Sequence, residues 1–201
     1  MLRITAKQQL MREIVDILSV LTSEAKLVWG EKGLSISVVD GSHVALLSAT
    51  IADECFETYE VEPVEIGLDL QKMRDLLTLA GPSDLVEMDY DDAVGAINVR
   101  VGEVLMILRG IDTSTMDNPN QPNLEFKSKA TIGSEKLSRA LRAAKFVGGE
   151  VDLSMDKNQL SVSVTVEAGE GVNVKFESGE LSELVCASPT PVSYTHLRAH
   201  E

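Results

Sequence analysis

Hydrophobic positions change period several times along the chain. Leu10, Ile14, Ile17, Leu18 and Leu21 recur at three- and four-residue spacing, one side of a helix, and with Thr5 available as a cap they predict a helix over residues 6–21. Residues 25–29 read as a strand, Gly30-Glu31-Lys32-Gly33 as a hairpin turn, and residues 34–38 alternate apolar with serine at period two. A third extended run follows the turn residues Asp40 to His43 and covers 44–51, and 58–61 and 65–68 supply further short strands. Residues 71–79 (QKMRDLLTL) predict a second helix stopped by Gly81-Pro82. Strands over 85–90, 96–101 and 104–108, broken at Asp91-Asp92 and Gly102, complete a meander.

The periodicity then disappears. Residues 112–123 (DTSTMDNPNQPN) are polar and proline-bearing, the best linker in the chain. Beyond it the opening order returns: a strand over 126–132, a helix over 134–147, a strand over 150–155, a turn at 156–159 and the alternating run Leu160-Ser161-Val162-Ser163-Val164. That run parallels Leu34-Ser35-Ile36-Ser37-Val38, and each follows an apolar helix residue, Leu10 or Leu137, at nearly the same distance. An internal duplication is the economical explanation, with chance similarity between two serine-valine hairpins as the alternative.

Charge gives the second helix-and-strand unit its distinctive feature. The chain has 18 Lys+Arg against 32 Asp+Glu, a net charge of -14. Yet SEKLSRALRAAKFV holds Lys136, Arg139, Arg142 and Lys145 against Glu135 alone. At about 100° per residue, Leu137, Ala140, Leu141, Ala144 and Val147 fall on one side and the basic residues on the other. A solvated helix face accounts for such a pattern as readily as a binding face does. An acidic chain argues against nucleic acid unless its charge is segregated, because duplex affinity comes from neutralising phosphates. With 4% aromatic residues, base stacking on aromatic platforms is not expected. Cys55 and Cys186 form neither a disulfide framework nor a metal-ligand spacing, which fits a reducing compartment. No apolar run reaches the length of a membrane span, and the first residues lack a signal-peptide core; a soluble, intracellular protein is expected.

The last ten residues, VSYTHLRAHE, depart from this pattern and hold His196 and His200 of the three histidines. Two histidines at i, i+4 suggest a metal site. The string, however, resembles the translation of a transposase adapter used in sequencing libraries. Residues 192–201 are accordingly expected to be a non-native tail outside the fold, with the natural sequence continuing past Pro191.

Two units of this order joined by a polar connector resemble the sliding clamps of archaea and eukaryotes, the proliferating cell nuclear antigen family. The strings that carry the resemblance are GLSISVVDGSHVALL (33–47), FETYE (56–60), IGLDLQKMRDLLTLAG (66–81) and KLSRALRAAKFVGGEV (136–151). It implies an α+β DNA-clamp fold of duplicated helix-and-antiparallel-sheet domains: domain one over 1–111, a connector over 112–124 and an incomplete domain two over 125–191. It also implies a ring of three chains whose helices face encircled double-stranded DNA without reading its sequence. The DNA-facing positions are then Lys7, Arg12, Lys72, Arg74, Lys136, Arg139, Arg142 and Lys145. Subunit contacts fall on Leu105, Met106, Ile107 and Leu108 in domain one and on Val172, Val174 and Phe176 in domain two. A pocket for short partner peptides falls on Val39, His43, Val44, Leu46, Pro122 and Leu124, although the polar Asn120, Gln121 and Asn123 depart from the aliphatic connectors of many clamps. The implied partners are a clamp loader, DNA polymerase, flap endonuclease, DNA ligase and further copies of the chain, with no membrane partner and no cofactor. The implied location is the archaeal cytoplasm at the nucleoid, or the nucleus in a eukaryote.

An enzyme is not expected. No phosphate-binding loop, GxSxG, HExxH or paired CxxC occurs, and the nearest constellation is Asp40, Ser42 and His43 in one turn. A subunit of a heterotrimeric checkpoint-type clamp is the alternative within the same architecture, separable from a homotrimer by self-association.

Overall fold

The computed structural model describes residues 1–116, 119, 125–148, 150–166, 170–187 and 190–194, the last segment as backbone. The chain divides into two compact units, Met1–Pro122 and Asn123–Glu201.

Unit 1 opens with a strand rather than a helix. Leu2, Ile4 and Ala6 are all buried and alternate along β1 (Leu2–Lys7), which leads directly into α1 (Gln8–Leu18). The predicted helix start at Ala6, with Thr5 as cap, is thereby corrected. Three apolar residues at period two are too short a run to announce a strand, and only its antiparallel partners, β5 (Thr58–Val61) on one side and β7 (Leu85–Asp91) on the other, satisfy its backbone. Lys7, at the N-cap, makes no side-chain cap. The free N–H groups of Gln8 and Gln9 instead donate to the carbonyls of Asp84 and Pro82 at 2.8 and 3.2 Å, and the Gln8 side chain, itself buried, donates to Leu77 O at 2.8 Å.

The remaining elements are β2 (Glu24–Gly30), β3 (Gly33–Val39), β4 (Leu46–Ala52), β6 (Val64–Asp69), α2 (Leu70–Leu77), β8 (Ala96–Val101) and β9 (Val104–Arg109). They form an antiparallel sheet of order β4-β3-β2-β6 and another of order β5-β1-β7-β8-β9. Asp69 caps α2 by accepting from Lys72 N at 3.0 Å, which starts that helix one residue earlier than expected. One core unites Met11, Val15 and Leu18 of α1 with Leu70, Met73, Leu76 and Leu77 of α2 and the inward faces of the strands. Trp29, Phe56 and Tyr59 stack in it with ring centroids 5.2 to 6.2 Å apart, and Tyr59 OH donates to Gly30 O at 2.6 Å. At Gly67 a side chain would collide with Ile111 and Met116; Ile111 N donates to Gly67 O at 2.9 Å and pins the start of the connector to β6.

Unit 2 contains β10 (Ser128–Thr131), α3 (Ser134–Val147), β11 (Val151–Met155), β12 (Gln159–Thr165), β13 (Gly171–Glu177), β14 (Glu183–Cys186) and β15 (Thr190–Tyr194). β10 pairs with β14, and the other strands form a sheet of order β13-β12-β11-β15. The element sequence β1, α1, β2, β3, β4, β5, β6 recurs as β10, α3, β11, β12, β13, β14, β15, and both the strand orders and the Leu27↔Ile36 and Leu153↔Val162 registers repeat with it. β15 occupies the place of β6 and pairs Val192, Ser193 and Tyr194 with Leu153, Asp152 and Val151. The fold therefore runs three residues into the segment expected to lie outside it, because a backbone ladder accepts any non-proline sequence on the open side of β11. Residues 195–201, with both tail histidines, lie outside the described residues.

Candidate functional site

The second-unit helix is built to present charge. Ala140 and Ala144 are buried, and Leu137, Leu141 and Val147 pack partly against the same small core, so α3 rests on its sheet through alanines. Glu135 in the first turn and Lys145 in the last complement the helix dipole, and Gly148, at φ 76°, ends the helix. Lys136 Nζ reaches the Glu180 backbone oxygen at 3.3 Å and its carboxylate at 3.8 Å. Arg139 and Arg142 are exposed and, among the described residues, make no ion pair.

The basic positions of unit 1 are different in kind. Lys7 pairs with Glu57 at 3.7 Å and Lys72 with Asp69 at 3.0 Å, while Arg12 and Arg74 share Asp16 at 3.5 and 3.0 Å. The Arg74–Asp16 contact ties α2 to α1. All four are at least one-third exposed, where an ion pair contributes little and exchanges readily with another anion.

Both expected subunit edges are outer strands. β9 ends the five-stranded sheet and β13 ends the second-unit sheet, so each leaves a row of backbone donors and acceptors unpaired by its own unit. On β9, Leu105 and Ile107 face outward, 49% and 67% exposed, whereas Met106 packs against the core and Leu108 is buried within it. On β13, Val172 and Val174 are half-buried against the core and Phe176 is buried. Leu108 and Phe176 are thus core residues, and a contact at their positions would be made by backbone. Strand alternation decides this: neighbouring side chains on one edge point to opposite faces.

Four of the six positions expected to form a peptide pocket, Val39, His43, Val44 and Leu46, lie at one end of the β3–β4 hairpin. Val39 and Leu46 are directly paired across β3 and β4. The turn between them is held by Asp40, whose carboxylate accepts the backbone N–H groups of Ser42, Val44 and Ala45 at 3.3, 2.8 and 2.7 Å. Those bonds, Ala45 first, hold the Asp40 carboxyl below its ordinary range. They commit the carboxylate to the backbone of its own turn. His43 takes φ 55°, and Val44 beside it is 86% exposed. Pro122 and Leu124 lie outside the described residues. A groove of about 200 Å³ opens between Lys26, Ser37 and Val39 on the sheet and Thr115, Met116 and Pro119 of the connector, and Ser37 Oγ donates to Pro119 O at 3.4 Å. Met116 and Pro119 had no sequence signal beyond their place in a linker; the connector's anchorage at Gly67 brings them here. Among the described residues no cluster of His, Cys, Asp or Glu could hold a metal, and no helix is long and apolar enough to cross a membrane.

Comparison with known proteins supplies the context for these features. The chain is 28% identical over 190 residues to the DNA polymerase sliding clamp of Methanocorpusculum labreanum, covering 93% of this chain and 76% of that one. It is 27% identical over 190 residues to the DNA polymerase sliding clamp of Methanoregula boonei, covering 94% and 76%. A solved structure described as the C-terminal region of FEN-1 bound to A. fulgidus PCNA superimposes with a TM-score of 0.88 at 25% identity, covering 97% of this chain and 79% of that one. PCNA from Thermococcus kodakaraensis shares the fold, with a TM-score of 0.86 at 20% identity over 97% and 81% of the two chains. Residues 1–104, more than half of the sequence, match the family described as proliferating cell nuclear antigen, N-terminal domain, and the chain belongs to that family.

Proposed function

We propose that this chain is a DNA polymerase sliding clamp, a non-enzymatic processivity factor that closes into a ring around duplex DNA and tethers replication and repair enzymes to it. The observation that carries the reading is the unpaired Arg139–Arg142 face of α3 in a chain of net charge -14. Segregated charge of this kind confines attraction to one surface, since screening limits its reach to about 10 Å at ordinary salt. Contacts to phosphates alone hold a duplex without reading its sequence, so a closed ring can travel along it. The edges β9 and β13 suit head-to-tail joining of copies by strand pairing, and one chain carrying both edges is what a closed homotrimer of the clamp type needs.

The partner set follows the same reading. An ATP-driven clamp loader opens the ring, and DNA polymerase, flap endonuclease and DNA ligase dock through short peptides at Val39, His43, Val44, Leu46 and the connector. The A. fulgidus relative, solved with the C-terminal region of FEN-1, supports the flap endonuclease in particular. The site of action is the cytoplasm, at the nucleoid. Replacing both Arg139 and Arg142 with glutamate is expected to leave self-association unchanged and to abolish loader-dependent retention on primed circular DNA. Unchanged retention of the double variant would overturn a DNA-facing α3.

A further inference from the structure

Phe146 lies in the last turn of α3 with 91% of its surface exposed. Arg142 is one turn before it and Arg139 two turns before it on the same face. The ring cannot join the core beneath, because Ala140, Ala144 and their partly buried neighbours occupy the other side of the helix. The first repeat has the same arrangement in weaker form. Met11, Val15 and Leu18 of α1 match Ala140, Ala144 and Val147 in spacing, and the residue before the last of each trio, Ile17 or Phe146, is exposed, Ile17 by 52%.

A single exposed aromatic is ordinary on a protein surface. This one stands on the one described helix whose arginines have no ion pair among the described residues, so a surface both anionic and apolar complements it. The backbone of duplex DNA has that composition, phosphates alternating with deoxyribose rings. Resting on the clamp reading above, we propose that Phe146 packs against a deoxyribose of the encircled duplex while Arg142 and Arg139 hold phosphates of the same strand. Arg142 and Phe146 are about 6 Å apart along the helix axis, against a rise of about 3.4 Å per nucleotide of one strand, so a phosphate and a sugar within two nucleotides meet the pair. The sugar is the same at every nucleotide, so the contact adds attraction that salt does not screen and leaves the protein free to slide.

Titration of the isotope-labelled full chain with a short mixed-sequence duplex, followed by NMR at several salt concentrations, tests this. Phe146→Ala is expected to weaken binding about fivefold at every salt concentration, in keeping with loss of a partly buried ring, with the slope of log K against log salt unchanged. Phe146→Leu is expected to recover most of the loss. Arg139→Gln with Arg142→Gln is expected to flatten the slope by about 0.9 per arginine. Binding by Phe146→Ala equal to that of the parent would overturn the sugar contact while the clamp reading stands, provided the arginine variant still flattens the slope. If the arginine variant keeps the parent's affinity and slope, the DNA-facing reading fails and this inference with it. Loss of self-association in Phe146→Ala, with DNA affinity preserved, would assign the ring to a contact between copies and overturn the proposal.

Discussion

Asp40 shows how one side chain sets a surface that a partner would meet. Its carboxylate replaces three backbone partners for the turn between β3 and β4, and it thereby holds His43 in the left-handed region with Val44 turned outward. Because folding lowers its pKa, through the Ala45 bond first, its contribution is fully present above the ordinary carboxylate value near 3.8 and is lost as the pH falls through the lowered one. Amide exchange at Val44 and Ala45 reads this directly. At neutral pH, Asp40→Ala is expected to speed exchange at both amides and to leave β2 protected; unchanged exchange would show that the turn holds itself. The sequence already marked Asp40 to His43 as a turn, and the alternation of Arg139 and Arg142 against alanines already marked a charged face. That Leu108 and Phe176 turn their side chains into the core was not legible, because an apolar edge strand looks the same in sequence whether its side chains face the core or a neighbouring chain.

At the scale of elements, the helix with strong apolar spacing and the serine-valine hairpins were legible, and β1 and β14 were not. A strand such as β1 depends on β5 and β7, more than fifty residues away, and no local signal encodes such a pairing. The capping of α1 by Asp84 and Pro82 carbonyls is equally remote and overrode the cap that Thr5 offered. The duplication, suggested by one hairpin pair, extends to seven successive elements with their sheet orders. Gly67 belongs to this scale, since it lets the connector close on β6. Gly67→Ala forces a methyl group against Ile111 and Met116 and is expected to destabilise unit 1 by about 1–3 kcal/mol. Trp29, the one tryptophan, is buried in that unit and reports its urea unfolding by fluorescence. An unchanged midpoint would mean that the connector yields without cost.

At the scale of the whole molecule, an acidic chain, a basic helix α3 whose Arg139 and Arg142 make no ion pair among the described residues, and two open sheet edges suit the proposed ring, whose hold on DNA is topological. Topology and affinity make different predictions. A protein bound by affinity stays equally well on circular and linear duplex, whereas a closed ring stays on the circle and runs off free ends. The decisive measurement is gel filtration of the protein after loader-dependent assembly on a singly nicked circular plasmid, with and without linearisation by a restriction enzyme. The expected result is co-elution with the circle and release on linearisation. Equal retention on both forms, or retention on neither, would contradict a sliding clamp.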